Sequence, residues 1–119
     1  MDLTSKIHKV HENDPRILDA ATVLHLATHG GAKALGIKDL GLLEPGYLAD
    51  LILIGVRRPS LSPMYNPVSH LVYAVRGGDV QMVWVEGRLI VQDGRPLTID
   101  TEEIKARVQE ITGRLSELT

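Results

Sequence analysis

The sequence predicts an α+β fold: a buried strand and a β-hairpin flanked by helices. Three stretches predict it. "DVQMVWVEGRLIVQDGRP" (Asp79 to Pro96) holds two β-prone runs joined by Glu86-Gly87 and closed by Asp93-Gly94. Glycine at the second turn position supplies the positive φ that a two-residue hairpin turn requires. "LILI" (Leu51 to Ile54) is a continuous apolar run, the signature of a strand covered on both faces. At the end of the chain, Ile104, Val108, Ile111, Leu115 and Leu118 recur on one side of a helix.

The elements follow in order. "MDLTSKIHKVHE" places Leu3, Ile7 and Val10 at helical spacing without a strong cap, and "NDPR" ends it, because Pro15 disfavours helix at the preceding residue. Asp19 caps a second helix by accepting from a free first-turn N–H. Leu24, Ala27, Gly31, Ala34 and Leu35 are expected on its apolar face. Gly30 and Gly31 each weaken that helix by roughly 1 kcal/mol relative to Ala, a cost tolerated where backbone must approach something closely. Gly36 is placed to stop it in the left-handed conformation. "IKDLGLLEPGYLAD" reads as loop with a Pro45-Gly46 turn.

After the strand, "VRRPSLSPMYNPVSH" is an irregular but rigid crossover, since Pro59, Pro63 and Pro67 each fix φ. "LVYAV" (Leu71 to Val75) is expected to be a helical turn or irregular segment. In the hairpin, Val80, Met82 and Trp84 share one face, and Val83 and Val85 the other, so both faces are apolar. Asp100 and Glu103 form an acidic capping box for the last helix, with Glu102, Lys105, Arg107 and Glu110 on its polar side. The predicted order is helix, helix, strand, hairpin, helix.

Composition narrows the function classes. The 119 residues suffice for one domain with a real core, and that core is aliphatic: there is no Phe, one Trp and three Tyr. The net charge of −2 and the lack of a basic stripe argue against nucleic-acid binding. The longest apolar run falls far short of the ~20 residues of a membrane span, and no secretory signal pattern opens the chain. With no Cys there are no disulfides or thiolate metal sites, which fits a cytoplasmic protein.

Five histidines are the candidate ligands. His25 and His29 stand i, i+4, so both rings can face one metal ion. The metalloprotease motif of that spacing needs Glu after the first His, and Leu26 stands there; a third ligand would have to come from His8, His11, His70 or a carboxylate. The bland reading is a solvent-facing or packed pair. His8 and His11, at i, i+3, read as solvated. No Ser lies in a G-x-S-x-G elbow, and neither Gly30-Gly31 nor Gly77-Gly78 matches a phosphate-binding pattern. Glu102 and Glu103 are explained by the helix dipole, and Asp50 and Asp79 by structural hydrogen bonding. No catalytic, cofactor-binding or metal residue is assigned from the residues alone.

Four stretches in order carry a resemblance: "ATHGGAKALGI" (Ala27 to Ile37), "LGLLEPGYLADLILI" (Leu40 to Ile54), "VYAVRGGDVQMVWVEGRLIVQDGR" (Val72 to Arg95) and "LTIDTEEI" (Leu97 to Ile104). Together they resemble the C-terminal part of the amidohydrolase superfamily, in the branch of chlorohydrolases, guanine and cytosine deaminases and methylthioadenosine/S-adenosylhomocysteine deaminases. The resemblance implies a partial β-sandwich, the composite domain of those metal-dependent hydrolases, with the catalytic (β/α)₈ barrel largely absent. Residues 1–36 resemble the last barrel helices, and residues 37–119 the composite strands, hairpin and terminal helix. The full-length family implies zinc or iron, held by an H-x-H pair, later histidines and an Asp. This sequence has no H-x-H, and it resembles the part of the family that follows the Asp. The expectation is the structural portion of a C–N or C–Cl hydrolase, deaminase-like and inactive by itself. Its partner would be the parent barrel domain or a second copy. The alternative is a stand-alone dimerisation module that pairs its open strands with another chain, so a homo-oligomer is expected either way.

Overall fold

Asp2–His11 forms helix α1 in a computed structural model that describes residues 1–116. Met1 gives α1 no side-chain cap, and the chain turns out at Asn13, whose φ is +51°. Asp19 then caps α2 (Ala20–His25), its carboxylate accepting from the Thr22 N–H at 2.8 Å. The helix does not continue regularly. Leu26–Gly30 is a π-helical turn, followed by α3 (Gly31–Ala34), and Gly36 ends the run with φ +75°.

This π turn corrects the expected apolar face. Val23 and Ala32 are the buried residues, while Ala27, Ala34 and Leu35 are exposed. A wider turn changes the angular phase of everything after it, so a face counted at uniform helical spacing drifts off the core. Thr28 explains part of the widening, since its hydroxyl donates back to the Leu24 carbonyl at 2.9 Å. The close approach expected at Gly30-Gly31 lies instead at Gly41. A Cβ on Gly41 would stand 2.6 Å from the His29 nitrogen, and its φ is +88°. The loop backbone therefore rests directly on the π turn.

Pro45-Gly46 is a turn: Tyr47 N–H donates to the Glu44 carbonyl and Gly46 has φ +90°. A four-stranded antiparallel sheet follows, in the order β1 (Leu51–Ile54), β2 (Val80–Val85), β3 (Arg88–Gln92), β4 (Arg95–Pro96). Glu86 and Gly87 both have positive φ, as do Asp93 and Gly94, so each pair forms a tight reversal. The second reversal adds β4, which the sequence reading did not foresee. Asp50 Oδ1 accepts from the Glu86 N–H at 2.6 Å and ties the start of β1 to the hairpin turn.

Two further expectations change. β1 is an edge strand rather than one covered on both faces: Ile52 and Leu53 are 54% and 47% exposed. The crossover after it ends in a real helix. Asn66 caps α4 (Pro67–Tyr73) by accepting from the Ser69 N–H, and Pro67 takes the first position, where its missing N–H costs nothing. Within the crossover, Leu61 is 1% exposed, at the end of a 3₁₀ turn, Pro59–Leu61. Asp79, 5% exposed, accepts from the Arg76 N–H and pairs with Arg58 at 3.2 Å, holding the crossover to the start of β2.

The last helix, α5 (Thr101–Ser116), begins where Asp100 accepts from the Glu102 and Glu103 N–H groups. Every residue of α5 is exposed, including Ile104, Val108 and Ile111 of its apolar stripe. Leu118, the expected end of that stripe, lies outside the described residues.

Candidate functional site

Sequence spacing brought His25 and His29 forward, and the structure does bring them together. Their ring centres are 5.5 Å apart with planes tilted by 50°. His25 closes α2 and His29 sits in the π turn, which Gly41 braces from behind. His29 Nδ1 is buried without a hydrogen-bond partner. The other histidines stay apart from this pair: His11 lies 3.6 Å from Glu12, and His70 Nδ1 is 2.9 Å from the Asn66 carbonyl oxygen. Among the described residues, no three His, Cys, Asp or Glu side chains converge as a metal site.

A second cluster was not visible in the sequence. Ser5, midway along α1, is completely buried. Its hydroxyl donates to the Leu18 carbonyl at 2.8 Å and lies 2.9 Å from the Tyr73 hydroxyl of α4. Lys9 donates to the same phenol oxygen at 3.1 Å. Ser5 has one proton, and it goes to Leu18, so the Tyr73 O–H must donate to Ser5. The cluster is a directional chain: Lys9 to Tyr73, Tyr73 to Ser5, Ser5 to the Leu18 carbonyl. Ser5 first, and Lys9 second, hold the phenol below its ordinary pKa. The ammonium also lies 5.5 Å from the Tyr73 ring centre.

This chain can fasten α1, the α1–α2 turn and α4 to one another. Leu18 holds φ +45°, a left-handed conformation uncommon for Leu, and so turns its carbonyl toward Ser5. The arrangement does not include a nucleophile with a base: the Ser5 proton is committed to a carbonyl, and the nearest cation donates rather than accepts.

Comparison with known proteins places this geometry. The amidohydrolase family model matches residues 1–90. The 5-methylthioadenosine/S-adenosylhomocysteine deaminase of Syntrophobacter fumaroxidans is 48% identical over 93% of this chain, which spans 26% of that protein. The deaminase of the same description from Pyrococcus furiosus is 44% identical over 87% of this chain and 25% of its own length. Thus the chain spans about a quarter of the length of the curated relatives it matches. Among solved structures, a zinc-bound adenosine deaminase from Xanthomonas campestris superposes with a TM-score of 0.87 at 32% identity, covering 96% of this chain and 26% of that one. A zinc-complexed atrazine chlorohydrolase from Arthrobacter aurescens gives 0.70 at 31% identity, over 78% and 20%.

Zinc is therefore the metal of both solved relatives. The described residues do not fit a hydrolytic zinc centre, which needs about three protein ligands and an open position. His25 and His29 supply two donors, and no third side chain joins them. What the residues do match, over three-quarters of their length, is the family's fold, and the chain belongs to the amidohydrolase family.

Proposed function

We propose that these residues form the non-hydrolytic flank of a deaminase acting on adenosine-type nucleosides, of the methylthioadenosine/S-adenosylhomocysteine class, and that by themselves they do not turn over substrate. In this reading β1–β4 are part of a composite β-sandwich, and residues 1–36 belong with the helices of a catalytic barrel. The barrel supplies the metal ligands. The zero Cys count fits a cytoplasmic home.

One observation carries the reading: apolar faces are built but left open. The accessible surface is 9315 Å², whereas a compact monomer of 13.1 kDa has roughly 6,400 Å². The excess is on the scale of an obligate interface, about 2,000–5,000 Å². It is concentrated on apolar positions: Leu3, Ile7 and Val10 of α1, Ile52 and Leu53 of β1, and Ile104, Val108 and Ile111 of α5.

The test is complementation. The chain is mixed with a polypeptide carrying the other three-quarters of the Syntrophobacter fumaroxidans relative. Association and restored ammonia release from 5′-methylthioadenosine are expected. Failure to associate at micromolar concentrations, with both partners folded, counts against the reading. The edge position of β1 favours a second reading, a dimerisation module pairing β1 with a second copy. Sedimentation separates the two: that reading requires a tight dimer without any barrel polypeptide.

A further inference from the structure

His25 and His29 do more than share a helix face. Two imidazoles bound to one tetrahedral ion at ordinary metal–nitrogen distances have ring centres roughly 5 Å apart. The observed separation is 5.5 Å, within reach of a small side-chain rotation. No carboxylate or carbonyl engages either ring, and His29 Nδ1 is buried and unpaired. An imidazole left without a partner in this way bears an unmet desolvation cost; a ring flip or a bound ion can relieve it. The backbone beneath is fixed. Thr28 bonds back to Leu24, Gly41 lies against His29, and the π turn between them is the kind of helix irregularity that recurs at functional sites.

We propose that His25 and His29 form a two-imidazole chelate for a divalent transition-metal ion. The ion spans α2 and the π turn, and its remaining coordination positions are filled by water. This site is separate from the zinc centre of a hydrolase, because it has two protein ligands rather than three, and its existence does not depend on the deaminase reading. Imidazole donors give the affinity order Cu²⁺ above Ni²⁺ and Zn²⁺.

The experiment is calorimetric titration of the full chain with Cu²⁺, Ni²⁺ and Zn²⁺ in turn, in a non-coordinating buffer. One equivalent of Cu²⁺ should bind most tightly, with an electron paramagnetic resonance spectrum showing two nitrogen ligands. His25→Ala, at an exposed position where folding is not at risk, should weaken binding by about tenfold or more. His29→Gln should do the same, with the circular dichroism spectrum unchanged. The double variant His8→Ala/His11→Ala should bind as the parent does. Absence of stoichiometric Cu²⁺ binding overturns the proposal. So does binding that survives His25→Ala or is lost with His8→Ala/His11→Ala.

Discussion

Leu18 is the residue whose conformation most needs support. Left-handed backbone at a Leu costs on the order of 1–3 kcal/mol, and it persists only where its surroundings fix it. The Lys9–Tyr73–Ser5 chain does so by holding the Leu18 carbonyl. Tyr73→Phe removes the donor to Ser5 and the acceptor of Lys9, and should cost about 1–2 kcal/mol in urea unfolding at neutral pH. At that pH the phenol is protonated in both folded and unfolded chains, so the loss reports hydrogen bonds alone. Ionisation enters later. Because the folded phenol titrates below its ordinary value, its ionisation adds stability as pH rises through the folded pKa. The contribution is complete above the unfolded value of about 10 and is lost as pH falls back through the folded pKa. The ultraviolet phenolate band of Tyr73 should therefore rise below pH ~10, and Ser5→Ala should move it back further than Lys9→Met. None of this cluster was legible in the sequence. Ser5 and Tyr73 are 68 residues apart, and a Ser among charged helix residues reads as solvent-facing.

Gly41 shows the same limit from the other side. Its neighbours "DLGLL" signal only a loop, yet its missing Cβ is what lets the loop lie on the π turn. Gly41→Ala combines left-handed strain with a Cβ 2.6 Å from a backbone nitrogen. It should destabilise by at least about 2 kcal/mol by chemical denaturation. Gly46→Ala, left-handed but with nothing within 4 Å, should cost only about 1 kcal/mol.

At the scale of elements, what was readable was local. The Asp19 and Asp100 caps, the Glu86-Gly87 reversal and the stop at Gly36 each depend on a few adjacent residues, and all appear where their residue types placed them. What was unreadable depended on phase or on distance. The π turn moved the buried face of α2 to Val23 and Ala32, and α4 began earlier than its apolar residues suggested because Asn66 and Pro67 start it. α5 is the most exposed element. Sixteen residues is close to the length at which a helix alone in water becomes marginal, so its ends and propensities decide its population. Asp100→Ala should lower α5 helicity and cost about 1 kcal/mol. Gly113→Ala, with open space around the new methyl group, should raise helicity by a similar free energy. Backbone amide exchange along α5 reads both changes.

At the scale of the molecule, the chain is extended for its size. Its radius of gyration is 18.8 Å, against roughly 13–14 Å for a compact domain of this length. The aliphatic stripes of α1, β1 and α5 were visible as periodicity, but periodicity shows that a face is apolar and not what covers it. The resemblance supplied the missing partner, a catalytic barrel, and family membership with coverage of about a quarter of the relatives agrees with it. The most direct test of the account is ammonia release from 5′-methylthioadenosine by the purified chain supplied with zinc. The account predicts a rate indistinguishable from buffer containing the same zinc. Steady, zinc-dependent turnover that a chelator abolishes would show that a hydrolytic centre does exist within these residues.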